Sequence, residues 1–219
     1  MKTQIFSAAV CAAALAATAG SAQAETEVSI YSGIQGAAGS TLKGDYPSGG
    51  SYDRDVAWDG RSGEMPPYYG IRGTWWQSER LGFGAEFTHS KVYLDGSDKS
   101  ALGFDGFQLS DGLNVLTANA MVRFPDQAPG VTPYFGGGIG VTLPHVDAEV
   151  GSSDTFGYQF GGPAVRLTAG ASYDVTETVA LFGEYQFTAS WNDLDLDNGG
   201  SAKTQINTNA VNLGVALKF

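Results

Sequence analysis

The last fifteen residues, QINTNAVNLGVALKF at 205–219, decide how the rest of the chain is read. Successive side chains of an extended strand point to opposite faces. Val211, Leu213, Val215, Leu217 and Phe219 therefore share one face, and Asn212, Gly214, Ala216 and Lys218 the other. A strand with one unbroken apolar face, ending on an aromatic, suits the closing strand of a barrel whose outer side meets lipid. It suits an edge strand of a soluble sandwich equally well. Recurrence of the pattern upstream separates the two.

It recurs seven times. Alternation predicts strands at 26–37, 68–76, 81–94, 113–124, 133–145, 158–173 and 179–191, making eight with the last. Between them, 38–67, 95–111, 147–157 and 192–203 read as long polar loops, and 77–80, 125–131 and 174–178 as short turns. Long and short connections alternate, which puts both termini and the turns on one side and the loops on the other. No segment sustains a helical period, and glycine recurs inside the strands. Aromatics gather at strand ends on the apolar parity: Trp75, Phe124, Phe135, Tyr173 and Phe219 on the turn side, Tyr69, Tyr93 and Trp191 on the loop side. Two such girdles fit the two interfaces of a bilayer. The expected fold is all-β, an eight-stranded antiparallel up-and-down transmembrane β-barrel over 25–219.

The N-terminus agrees with export. Lys2, an apolar Ala-rich run and Ala22-Gln23-Ala24 form a basic region, a hydrophobic region and an A-x-A cleavage signal, so 1–24 reads as a secretory peptide. Cys11 is the only cysteine and falls within it, which leaves no disulfide or thiolate chemistry beyond. Loss of Lys2 moves the net charge from −11 to −12, an acidity that excludes nucleic acid as a partner. A hydrophobic content of 42 % is what a barrel gives when lipid-facing apolar residues alternate with lumen-facing polar ones.

Charge parity selects the membrane barrel over a lipocalin-like soluble one, which would keep its apolar face inside. Arg72, Glu86, Arg123, Arg166 and Glu184 all fall opposite the apolar face. An eight-stranded interior is too narrow for an open pore, so these five are expected to pair as a lumen network and not to line a conduit.

Two histidines stand out. His89 and His145 lie near loop-side strand ends with the parity of lipid-facing residues, two positions after Phe87 and Leu143. An imidazole there is placed to act as a base or metal ligand toward a lipid, or simply to sit among headgroups; Pro144 threatens the parity of His145. Asp147 and Glu149, with Asp53, Asp55, Asp59 and Glu64, offer oxygen ligands for a divalent metal, at no EF-hand spacing. The chain contains no G-x-S-x-G, H-E-x-x-H or phosphate-binding loop.

The segments WDGRSGEMPPYYGIRGTWW (58–76), GFGAEFTHSKVY (82–93), YFGGGIGVTLPHVDAEV (134–150), GPAVRLTAGASYDV (162–175) and LFGEYQFTASWNDL (181–194) resemble alphaproteobacterial outer-membrane barrels of the lipid A oxidase type. That resemblance implies oxygen-dependent oxidation of the proximal glucosamine of lipid A to an aminogluconate unit, with molecular oxygen as co-substrate and hydrogen peroxide as by-product. It directs attention to Glu64 in EMPPYYG, His89 in EFTHSK and His145 in PHVD as catalytic candidates; Glu86 has lumen parity and reads as structural. The expected location is the outer membrane of a Gram-negative bacterium. Outer-membrane lipid or lipopolysaccharide is one expected partner, and the barrel-assembly machinery, through the strand ending at Phe219, is another. The alternative is a non-enzymatic structural or surface-interaction barrel of the small porin-like type.

Overall fold

The computed structural model describes residues 25–109, 111–125 and 127–219, so the leader expected at 1–24 lies outside the described residues. The strands are β1 (Glu25–Ala37), β2 (Ser40–Asp45), β3 (Ser51–Val56), β4 (Trp58–Gly60), β5 (Tyr69–Trp76), β6 (Leu81–His89), β7 (Val92–Leu94), β8 (Gly106–Leu109), β9 (Leu113–Arg123), β10 (Val131–Val150), β11 (Ser153–Tyr158), β12 (Gly162–Asp174), β13 (Val179–Leu196) and β14 (Gly200–Lys218). One short helix, α1 (Gly96–Ala101), interrupts them.

Eight strands close a ring in the order β1, β5, β6, β9, β10, β12, β13, β14 and back to β1, every neighbour antiparallel. The terminal strand performs the closure: Val28 stands opposite Leu217, and the register runs without a break to Ala37 opposite Thr208. Ile30, Ile71, Phe83, Leu116, Ile139, Leu167, Leu181 and Leu213, one from each ring strand, are 44–73 % exposed, so the apolar parity faces outward all round. That is the surface a bilayer covers.

The loop side departs from expectation. β10, β13 and β14 run to 20, 18 and 19 residues, past the predicted ends. On β13 the outward parity is apolar at Leu181 and Tyr185 and acidic at Asp193 and Asp195. The inward parity changes the other way, from Glu184 and Gln186 to the buried Leu194 and Leu196. Leu42, Tyr52, Trp58, Leu94, Phe107, Val146, Leu194 and Ile206 belong to one buried core inside this upper part. The predicted loops are thus a folded cap. The segment 38–67 contributes the β2–β3 hairpin and β4, with β2 extending β14; β4, β7 and β8 pair onward to β10.

Two predicted strands are cut short for local reasons. The strand expected over 81–94 leaves the ring after His89, and Val92–Leu94 joins the cap sheet. The one expected over 158–173 is broken at Gly162, whose φ of +144° suits glycine. Only Gly162–Asp174 enters the ring, and the preceding β11 folds back on β10.

Candidate functional site

The lumen is occupied by charge. Arg72 reaches Glu184 (Nη2 to Oε2, 2.8 Å) and, more loosely, Glu86 (3.6 Å), while Arg166 reaches the other Glu86 oxygen at 3.1 Å. Asn119 and Gln186 donate amide hydrogens to Glu86 at 2.9 and 2.7 Å, Tyr31 donates its hydroxyl to the same carboxylate, and Tyr134 donates to Glu184 at 2.7 Å. All four charged residues are under 5 % exposed. Each carboxylate is matched by guanidinium and neutral donors, which is what makes burial of a charge tolerable. Arg123, expected in this network, lies apart from it. As the last residue of β9 it reaches the turn-side mouth, where it pairs with Glu25 at 2.8 Å and lies 4.1 Å over the Trp76 ring. Below Arg72 the lumen opens into a turn-side vestibule of about 310 Å³.

The predicted rim residues gather round the start of β9. His89 and Asn114 face each other at the ends of β6 and β9, with Nδ1 and Oδ1 2.9 Å apart, and Asn114 Nδ2 donates onward to the Leu143 carbonyl of β10 at 3.2 Å. With its amide nitrogen turned to Leu143, Asn114 presents its oxygen to His89 Nδ1. His89 Nε2 is buried and without a hydrogen-bond partner. Tyr69 stacks on the ring at 5.3 Å. Gly112 makes the approach possible: its φ is +117°, and a Cβ there would come within 2.5 Å of His89 Nδ1.

His145 sits on the other side of Gly112, its backbone N–H donating to the Gly112 carbonyl at 2.9 Å. The β9–β10 register continues through Leu143 and Pro144, so the proline does not upset the alternation. Phe156 and Tyr158 of β11 meet the imidazole edge-on at 4.5 and 4.7 Å. Its Nδ1 is buried without a hydrogen bond, 3.9 Å from the Asp111 carboxylate. Both histidines thus keep outward parity, and both are covered by aromatic rings at 4–5 % exposure.

Glu64 belongs to a neighbouring group. It accepts from Arg61 at 3.2 Å and from the Tyr93 hydroxyl at 3.0 Å, and the Arg61 guanidinium lies 4.1 Å over the Tyr93 ring. Tyr93 was expected in a loop-side girdle; in β7 it stands within the cap sheet instead. Burial first, then the Glu64 carboxylate, push its phenol up to about 12, with Arg61 opposing and Asp111 adding to the rise. Tyr93 pairs with Gln108 of β8, and Gln108 with Asp147 of β10, two residues from His145, which sets the Glu64 group in the same cap sheet as the His145 group. Periodicity carries no signal for Lys91, a buried lysine whose Nζ donates to the Met65 carbonyl.

The oxygen ligands proposed for a divalent cation do not assemble. Asp147 accepts from Gln108, Asp55 from Thr41, and Glu64 from Arg61 and Tyr93. Among the described residues no three His, Cys, Asp or Glu side chains gather as a metal site.

Comparison with known proteins bears on the fold. The chain superposes on OprG from Pseudomonas aeruginosa with a TM-score of 0.50 at 11 % identity, over 90 % of this chain and 97 % of that one. Neisserial surface protein A matches at a TM-score of 0.48 and 20 % identity over 90 % and 97 %, and Ail of Yersinia pestis at 0.43 and 13 % over 90 % and 99 %. No curated protein matches the sequence. The family model for the outer membrane protein beta-barrel domain matches residues 7–219. With its closed ring and outward apolar belt, the chain is an integral outer-membrane protein, and it belongs to the outer membrane protein β-barrel family.

Proposed function

We propose that this protein is a non-conducting surface barrel that works through its loop-side cap and outer face. The observation that carries this reading is a single one: the lumen is filled by the Arg72–Glu86–Arg166–Glu184 network, while the loops above it fold around a core of their own. A conduit needs the reverse, a clear axis and mobile loops. The partners that fit are outer-leaflet lipopolysaccharide at the rim and, during insertion, the barrel-assembly machinery at the strand ending in Phe219. Two measurements test the reading together. In planar bilayers the purified protein is expected to give no steady conductance, and on intact cells the cap is expected to resist protease as a unit. Stable channels, or ready clipping throughout 38–67, would overturn it.

A second reading, lipid A oxidation, is favoured by the unpartnered His89 Nε2 and His145 Nδ1 on the outward parity. In that chemistry the anomeric C–H and O–H of the proximal glucosamine give up two electrons and two protons to molecular oxygen. The products are a lactone and hydrogen peroxide, and water then opens the lactone to the aminogluconate. For a histidine nitrogen to take the hydroxyl proton, the Tyr69, Phe156 or Tyr158 ring that covers it must first move aside. The rim carboxylates do not fit a divalent cation as they stand, because among the described residues no three acidic or imidazole side chains come together. Mass spectrometry of lipid A from a deletion strain separates the readings: unchanged lipid A removes the oxidase and leaves the surface barrel standing.

A further inference from the structure

Phe156, Tyr158 and Phe160 are 68 %, 66 % and 65 % exposed, as open as the lipid-facing belt, yet they belong to no ring strand. Adjacent exposed aromatics on this scale mark an interaction surface. They are held there, because the opposite face of their segment is tied down. Ser153 Oγ donates to the Asp197 carbonyl at 3.0 Å, Thr155 Oγ1 accepts from the Asp197 N–H at 2.8 Å, and Gln159 exchanges two hydrogen bonds with the Asp195 backbone at 2.8 and 2.9 Å.

Their position identifies what covers them. Tyr158 stands opposite His145, so the aromatic row continues the outward line of Ile139 and Leu143 on β10. Phe160 lies with Pro163 and the girdle residue Trp191 along an open groove whose upper wall is charged, with Asp193, Asp195 and Lys203. Opposite Phe156 stands Asp147, half-buried with its carboxylate taken up by Gln108, and one step further Asp154 stands opposite Glu149, both exposed acids. Apolar below and doubly acidic above is the profile of a membrane edge.

We propose that β11 is a membrane-seated arm. Phe156, Tyr158 and Phe160 rest in the interfacial region of the outer leaflet, continuous with the lipid-facing belt, and the water line passes between Phe156 and Asp154. Tyr158 suits such a seat, since its hydroxyl turns back to the Asp111 carbonyl at 3.3 Å while its ring faces out. The lipid-contacting perimeter is therefore one hairpin taller on this side, and His145 lies directly beneath rings that touch lipid. The arm is independent of whether the protein is an enzyme.

Site-directed spin labelling tests it, because Cys11 is the only native cysteine. In a Cys11→Ala background, single cysteines replace Phe156, Phe160, Asp154 and Ile139, are spin-labelled, and are compared in phosphatidylcholine–phosphatidylglycerol vesicles by power saturation with oxygen and a neutral nickel chelate. Heat-modifiable gel mobility confirms that each is folded. Labels at 156 and 160 are expected to match the label at 139, with an oxygen-to-nickel collision ratio several-fold above that at 154. A ratio at either position equal to that at 154 would put the arm in water, as a surface for a protein partner, and overturn the proposal.

Discussion

Arg72 and Glu184 face each other across the lumen, Nη2 2.8 Å from Oε2, from strands three places apart in the ring. Removing one charge of a buried pair leaves the other uncompensated, at a cost of about 3–5 kcal/mol. Glu184→Ala is expected to lower the urea midpoint accordingly. Asp193→Ala breaks an ion pair with Lys203 that is exposed on both sides, and should leave the midpoint nearly unmoved because solvent screens such a pair. Equilibrium unfolding in lipid vesicles measures both, and equal effects would show that the lumen network carries no special weight.

Gly112 is constrained twice, by a φ of +117° and because a Cβ there would come within 2.5 Å of His89 Nδ1 and Asn114 Oδ1. Gly112→Ala should cost about 1–3 kcal/mol and shift the His89 ring resonances as the imidazole leaves Asn114. At Gly63 nothing lies within 4 Å of an added Cβ. Gly63→Ala is expected to stay within about 0.5 kcal/mol.

Tyr93 is expected to hold its proton to about pH 12. The folded state raises this phenol above its unfolded value, so the associated stability is complete below the unfolded value near 10. It drains away as pH rises toward the folded one. Glu64→Gln removes the carboxylate that accepts the phenolic hydrogen and should bring the midpoint down, as followed by carbon-13 tyrosine resonances. An unmoved midpoint would mean that burial alone sets it.

Leu194 is fully buried in the cap core. Leu194→Ala should cost about 2–5 kcal/mol, and the loss should be local, since cooperative units within one structure open separately. Hydrogen exchange is expected to quicken in β2, β3 and the upper part of β13, while amides beside Glu86 and Arg166 stay protected. Uniform acceleration would mean that cap and barrel melt as one.

The ring was legible because its outward rows are long and regular: Val211 to Phe219 and Leu116 to Val122 alternate without error, and glycine excludes helix. The cap was hidden by a change of solvent partway along the same strands. At Asp193 and Asp195 the outward side becomes acidic, so a continuing strand resembles a loop; Leu194 and Leu196, on the inward parity, are the signal that corrects it. Local geometry hid the remainder. Nothing in the alternation through His89 announces that Ser90 and Lys91 carry the chain off the ring, or that Tyr69, Phe156 and Tyr158 would cover the two imidazoles. Parity placed Arg123 on the inner face, but its position at the strand end sends it to Glu25 at the mouth.

The exchange of polarity along β13 guards the registration of the wall. Side chains alternate with a period of two, so a slip of one residue sends every one of them to the opposite face. Here that slip would carry Glu184 into hydrocarbon and Leu194 into water in the same movement. Two solvents, acting at opposite ends of one strand, reject the same error.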